Sequence, residues 1–163
     1  MQLLAHSFGR EHGHRTRHDR GRPKLPVVRD PNCIFCKVVA GEIPGEVVDS
    51  DERTITVMDI NPATRGHVVV MPREHSEDLI AVSEDDLAAT IDATRRIVER
   101  MKDTLAPAGF NVLNNMGRAA WQSIFHFHVH VIPRYADDPL QLPWLPEPAD
   151  PAELASVAAE IRR

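Results

Sequence analysis

From Phe125 to Pro133 the chain reads Phe-His-Phe-His-Val-His-Val-Ile-Pro. Aromatic and β-branched residues alternating with histidine predict a strand, Phe125–Arg134, whose successive side chains point to opposite faces. His126, His128 and His130 then line one face, about 7 Å apart. Phe125, Phe127, Val129 and Val131 line the other. Each imidazole has two ring nitrogens to satisfy. A lone strand histidine is ordinarily a hydrogen-bonded core residue. Three in alternation, backed by a full apolar face, predict a site. Two chemistries suit it: a metal centre, or nucleophilic attack on phosphorus by a neutral imidazole.

The elements around this strand predict an α+β domain built on a five-stranded antiparallel sheet, with one long helix and a C-terminal helix. Ile34–Val39 reads as a short helical turn stopped by Gly41. Glu46–Asp49, Thr54–Asp59 and His67–Pro72 read as strands, and Asn61-Pro62 as a break. Ser83 caps the long helix, with Asp86 in the capping-box position and Leu87, Ile91, Val98, Met101 and Leu105 at helical spacing. Pro107 and Gly109 stop it, and Gly109–Asn115 is the fourth strand. After a Pro-rich connection, Asp150, Pro151 and Glu153 open the last helix, with Leu154, Val157, Ala158 and Ile161 on its apolar face.

The 163 residues suffice for one domain, 30–163, preceded by a basic tail, 1–29, with no apolar periodicity and read as disordered. The tail carries seven Lys/Arg against Glu11 and Asp19, so the remainder holds twelve basic and twenty-two acidic residues of the chain's −5 net charge. An acidic body is a poor partner for nucleic acid, which rewards a basic face. Phosphate must therefore be met locally, by neutral donors and a few placed groups. No apolar run has the length of a membrane span, and no membrane partner is expected.

Cys33 and Cys36 are the only cysteines. They do not make a secreted disulfide framework, and a reducing, cytoplasmic setting is the expectation. Their spacing suits two thiolates on one Zn²⁺, two reduced core thiols, or a redox pair. The last would want a preceding strand, and none is read there.

His126-Phe127-His128-Val129-His130, preceded by Asn115 and by Gln122-Ser123, resembles the histidine triad (HIT) family. Cys33-Ile34-Phe35-Cys36-Lys37 with Gly41-Glu42-Ile43-Pro44 resembles the opening of its Hint-like branch. Met58-Asp59-Ile60-Asn61-Pro62 and Gly66-His67-Val68-Val69-Val70-Met71-Pro72 follow in the same order. The likeness runs from about Cys33 to Arg134. It implies a nucleotidyl hydrolase or transferase in which His128 attacks the α-phosphate of a nucleoside monophosphate conjugate and forms a nucleotidyl-histidine intermediate that water hydrolyses.

By the same resemblance, His130, Gln122, Ser123 and Asn115 bind phosphate or steady the leaving group. Ile34, Phe35 and Ile60 touch the base, and Asp59 takes the ribose hydroxyls. Without the family, Ile34, Phe35 and Ile60 would read as core and Asp59 as a turn cap. His67 either orients the triad or serves as a structural partner. His130 stands where the family's transferases carry Gln, which favours hydrolysis.

The resemblance also implies a structural zinc on Cys33, Cys36, His75 and His126. It implies a purine nucleotide conjugate as substrate, a phosphoramidate or a dinucleoside polyphosphate, and a homodimer. Trp144 then packs in a groove of its own or a partner chain. Two other readings stay open: a non-enzymatic, zinc-stabilised nucleotide-binding module, and a metalloenzyme with catalytic zinc on the three histidines. One departure stands out. Hint-like sequences have small residues before Gln-Ser, whereas here Trp121 stands at a position suited to glycine at positive φ.

Overall fold

The computed structural model describes residues 29–141 and 146–163. The expected tail lies outside them apart from Arg29, as does Trp144. The elements are α1 (Ile34–Val39), β1 (Val47–Ser50), β2 (Thr54–Met58), β3 (Val68–Pro72), α2 (Glu84–Leu105), β4 (Gly109–Leu113), a 3₁₀ turn (Arg118–Ala120), β5 (Val129–Arg134) and α3 (Pro151–Ile161). The strands form one sheet in the order β1-β2-β3-β5-β4, and every neighbouring pair is antiparallel. The expected α+β fold is the one observed.

β3 is buried on both faces, which is why it reads as a run of valines. Val68, Val70 and Val131 pack under Ala93, Ile97 and Met101 of α2. Ile55, Val57, Val69 and Met71 pack on the opposite face against Phe35, Val38 and Val39 of α1. Phe127 and Val129 continue the α2 side with Val82 and Leu87. The apolar half of the histidine segment is thus core, and the imidazoles fall on the α1 side.

α2 starts as its sequence requires. Asp86 N–H donates to Ser83 Oγ at 3.1 Å, and Ser83 Oγ–H returns a bond to Asp86 Oδ2 at 2.7 Å. Its buried stripe is Asp86, Thr90, Ala93, Thr94, Ile97 and Met101, while Ile91 is half exposed. Large apolar residues alone misplace part of this face, because Thr90, Ala93 and Thr94 lie on it beside Ile97 and Met101.

The fifth strand is shorter than its pattern. The β3–β5 ladder pairs Val68 with Val131, Val69 with His130 and Val70 with Val129, and goes no further. Pro72 has no N–H to give. Its carbonyl accepts from His126 Nε2 at 2.9 Å, and Phe127 N–H donates to Ser76 O at 2.6 Å. On the other side Asn114 Nδ2 donates to His128 O at 2.8 Å, and β4 ends at Leu113 instead of Asn115. Side-chain bonds replace the ladder where the histidines need freedom from it.

The apolar residues of α3 do not join the core. Leu154, Val157 and Ile161 are exposed.

Gly66 sets the entry to β3. Its φ is +89°, and a Cβ there would lie 2.6 Å from Leu105 Cδ1 and 3.3 Å from Pro133 Cγ. Gly66→Ala is expected to lose about 1–3 kcal/mol of stability, mostly backbone strain, read as a lower urea midpoint with an unchanged slope.

Candidate functional site

Two clusters share the histidine segment. At its start, Cys33 Sγ lies 3.6 Å from His126 Nδ1. Cys36 Sγ lies 3.6 Å from His126 Nδ1 and 3.4 Å from His75 Nδ1. A tetrahedral Zn²⁺ with bonds of about 2.3 Å to sulfur and 2.05 Å to nitrogen places S and N about 3.6 Å apart. All four ligand atoms lie within 4.8 Å of one another. The His126 tautomer also fits. Its Nε2–H goes to Pro72 O, which leaves the Nδ1 lone pair facing both sulfurs, the arrangement a metal ligand needs. Burial holds His126 at about 4, well below the usual imidazole range, so the ring is neutral. Burial likewise pushes the Cys36 thiol up. The donor set fits zinc and leaves no open position.

Two residues on, His128 is buried, with the Phe35 ring edge-on at 5.1 Å and His130 at 4.9 Å between centroids. His128 Nδ1–H donates to His126 O at 2.5 Å. The lone pair therefore sits on Nε2, which has no hydrogen-bond partner among the described residues. Burial lowers the pKa of His128, so this nitrogen is a free base at neutral pH.

A chain of hydrogen bonds fixes His130. Ala63 N–H donates to His67 Nδ1 at 3.1 Å. That nitrogen accepts, so the proton of His67 is on Nε2, which donates to His130 Nδ1 at 2.9 Å. His130 must then carry its own proton on Nε2. Burial, then the neighbouring His128 and His67 rings, push His130 down to about 4, and burial lowers His67. Asp59 Oδ2 lies 3.6 Å from His67 Nε2 and 3.8 Å from His130 Nδ1. With both rings neutral these are polar contacts and not ion pairs. Asp59, His67 and His130 are close enough to hold a cation, but His67 has no lone pair to offer there. The trio is a hydrogen-bond relay.

The remaining candidates divide. Phe35 lines His128. Ile34 and Ile60 lie open at 45% and 85% exposure, free to meet a ligand and not part of the core. Asp59 accepts Asn61 N–H on Oδ1 at 2.8 Å and keeps Oδ2 toward the histidines. Ser123 is exposed and Asn115 half-buried. Gln122 is buried; its Oε1 accepts from Gly117 N–H at 2.7 Å, and its Nε2 donates to Glu77 O at 2.8 Å. Its side chain shapes the loop. Asn114, which holds His128 from below, escaped the sequence reading; two adjacent asparagines at a strand end were its only signal. A cavity of about 330 Å³ lies on the far side of the sheet, lined by Met58, Val68, Ile97, Met101 and Leu105, away from this chemistry.

Fold and site together define a histidine-triad protein: an antiparallel sheet carrying three alternating imidazoles, each with its tautomer set. The chain belongs to the HIT family, whose domain model matches residues 40–137. Protein hit of Bacillus subtilis is 36% identical over 135 residues, covering 81% of this chain and 93% of that one. Adenosine 5'-monophosphoramidase hnt1 of Schizosaccharomyces pombe is 32% identical, covering 80% and 96%. The crystal structure of a Zn-bound histidine triad family protein from Mycobacterium smegmatis superposes with a TM-score of 0.65 at 32% identity, covering 79% and 97%. Among the described residues no helix is long and apolar enough to cross a membrane.

Proposed function

We propose that this chain is a nucleotidyl hydrolase that cleaves nucleoside monophosphate conjugates, phosphoramidates or dinucleoside polyphosphates, at the α-phosphate. The observation that carries this reading is the bond from His128 Nδ1 to His126 O, which leaves a neutral, unpartnered Nε2 as nucleophile. Attack of Nε2 on phosphorus forms the N–P bond as the bond to the leaving group breaks. Water then displaces the histidine. His130, held as the neutral Nε2–H tautomer, donates a hydrogen bond to the phosphate or to the departing atom, and the proton the leaving group takes up comes from solvent. Ser123 and Asn115 supply neutral donors, and Gln122 holds the loop that presents Ser123. Asp59 receives the ribose, and Ile34, Phe35 and Ile60 the base, a purine by preference. The resident metal of this reading is a structural Zn²⁺ on Cys33, Cys36, His75 and His126. It supplies rigidity at the edge of the triad and no chemistry. A homodimer belongs to the same reading, supported by the exposed Val112 and Leu113 on the edge strand β4 and Met116 just beyond it.

Rapid acid quench with an α-³²P-labelled adenosine phosphoramidate tests it. Label should appear on the protein and map to His128. Absence of any adduct during active turnover refutes the covalent route.

The relay makes its own prediction. His67→Leu removes the donor to His130 and should lower kcat by about 10- to 100-fold, part of what positioned acid–base groups contribute. His67→Gln offers an accepting Oε1 to Ala63 N–H and a donating Nε2 to His130, and should keep most of the rate. Equal rates for the two variants would remove His67 from the mechanism.

A further inference from the structure

Trp121 stands in the left-handed region, at φ 68° and ψ 19°. The other positive-φ positions among the described residues are Gly41, Gly66, Gly117 and, just past α2, the small Ala106. A bulky side chain there strains the backbone. Trp121 is also 69% exposed, so packing does not offset that strain.

The conformation is imposed by loop closure. Gln122 N–H donates to Gly117 O at 3.1 Å and Trp121 N–H to Arg118 O at 3.0 Å, while Gly117 N–H is held by Gln122 Oε1. The same loop is pinned beside the triad by Gln122 Nε2 on Glu77 O and Asn114 Nδ2 on His128 O. Ser76 and Glu77 follow the end of β3, whereas His67, with Asp59 against it, precedes its start. The loop and Asp59 therefore lie toward opposite ends of a five-residue strand, roughly 17 Å long. In the hydrolase reading Asp59 receives the ribose, which places the leaving group toward the loop.

We propose that Trp121 is the stacking surface of a leaving-group subsite and that it selects conjugates whose leaving group carries a flat aromatic ring. This rests on the hydrolase reading of His128 and adds a preference that reading does not contain. A rigid exposed indole binds a ring face with little loss of side-chain freedom. A stacked ring is worth a factor of about five or more. Glycine would fit the backbone without strain, so what sets this position apart is the exposed indole.

Two adenosine phosphoramidates that differ only in the amine, 2-phenylethylamine or n-propylamine, test the proposal. The native chain should favour the phenylethyl conjugate in kcat/KM by about fivefold or more. Trp121→Gly should abolish the preference, and Trp121→Phe should keep most of it. The Trp121→Gly variant should melt at the same temperature or higher. Equal kcat/KM for the two conjugates in the native chain overturns the subsite. So does a lower melting temperature of Trp121→Gly with loss of an oligomer, which would place the indole against a second copy. If neither conjugate is cleaved, the hydrolase reading fails. Affinities for the two analogues with CH₂ in place of the bridging nitrogen then decide the subsite by the same ratio.

Discussion

His128→Asn is expected to lower turnover by on the order of 10⁴- to 10⁶-fold, the scale seen when a covalent nucleophile is removed, and to abolish the labelled adduct. The choice of asparagine follows from the bonding. His128 is buried and gives its Nδ1–H to His126 O. An asparagine Nδ2 reaches about where Nδ1 was and keeps that bond, so the local backbone has no buried acceptor left open. What disappears is Nε2, the one ring nitrogen without a partner. Asn114 still holds the carbonyl of residue 128. The melting temperature should therefore change little while the rate collapses. Retention of more than about a tenth of the native rate would show that His128 is not the attacking group. Native folding is read by near-UV circular dichroism.

The alternating histidines and the sheet were legible because each depends on spacing, whereas His75 and His126 joined Cys33 and Cys36 only through the family resemblance. Alternation places the three imidazoles toward one face, and the spacing of Cys33 and Cys36 suits a shared metal without excluding two core thiols or a redox pair. Trp121 stood out only because Hint-like sequences carry small residues there, and the positive φ of Gly66 was not read from the sequence. What spacing cannot show is which polar atoms are already taken. Gln122 stands beside Ser123 in sequence, but its amide is turned into the loop. Asn114 and Asn115 look alike, and only the position of His128 O tells which one reaches it. The tautomer relay from Ala63 to His130 joins residues far apart in the chain. The early end of β5 was half legible. Pro72 declares that it has no N–H, but the capture of its carbonyl by His126 is a tertiary fact. Ile91 misled because helical periodicity in large apolar residues ignores Thr90, Ala93 and Thr94, which share the buried face of α2 with Ile97 and Met101.

The cluster of Cys33, Cys36, His75 and His126 ties three distant pieces of chain: the start of α1, the loop after β3 and the first histidine of the triad. The purified protein should contain about one zinc per chain. Cys33→Ser removes one of two thiolates, and the remaining ligands neither balance the Zn²⁺ charge nor close its tetrahedron. Binding energy at a structural site is folding energy, about 10–16 kcal/mol in small zinc domains. Losing roughly 4 kcal/mol of it would lower the melting temperature by about 8–16 °C in a chain of this size. Turnover below the melting transition should fall only a few-fold. His126 would still give its Nε2–H to Pro72 O, and its carbonyl would still accept from His128 Nδ1–H, so the nucleophile keeps its tautomer without the metal. Elemental analysis finding no metal in protein prepared without chelators would refute the site. A zinc-free variant that stays folded but has lost all turnover would instead move the metal into the mechanism.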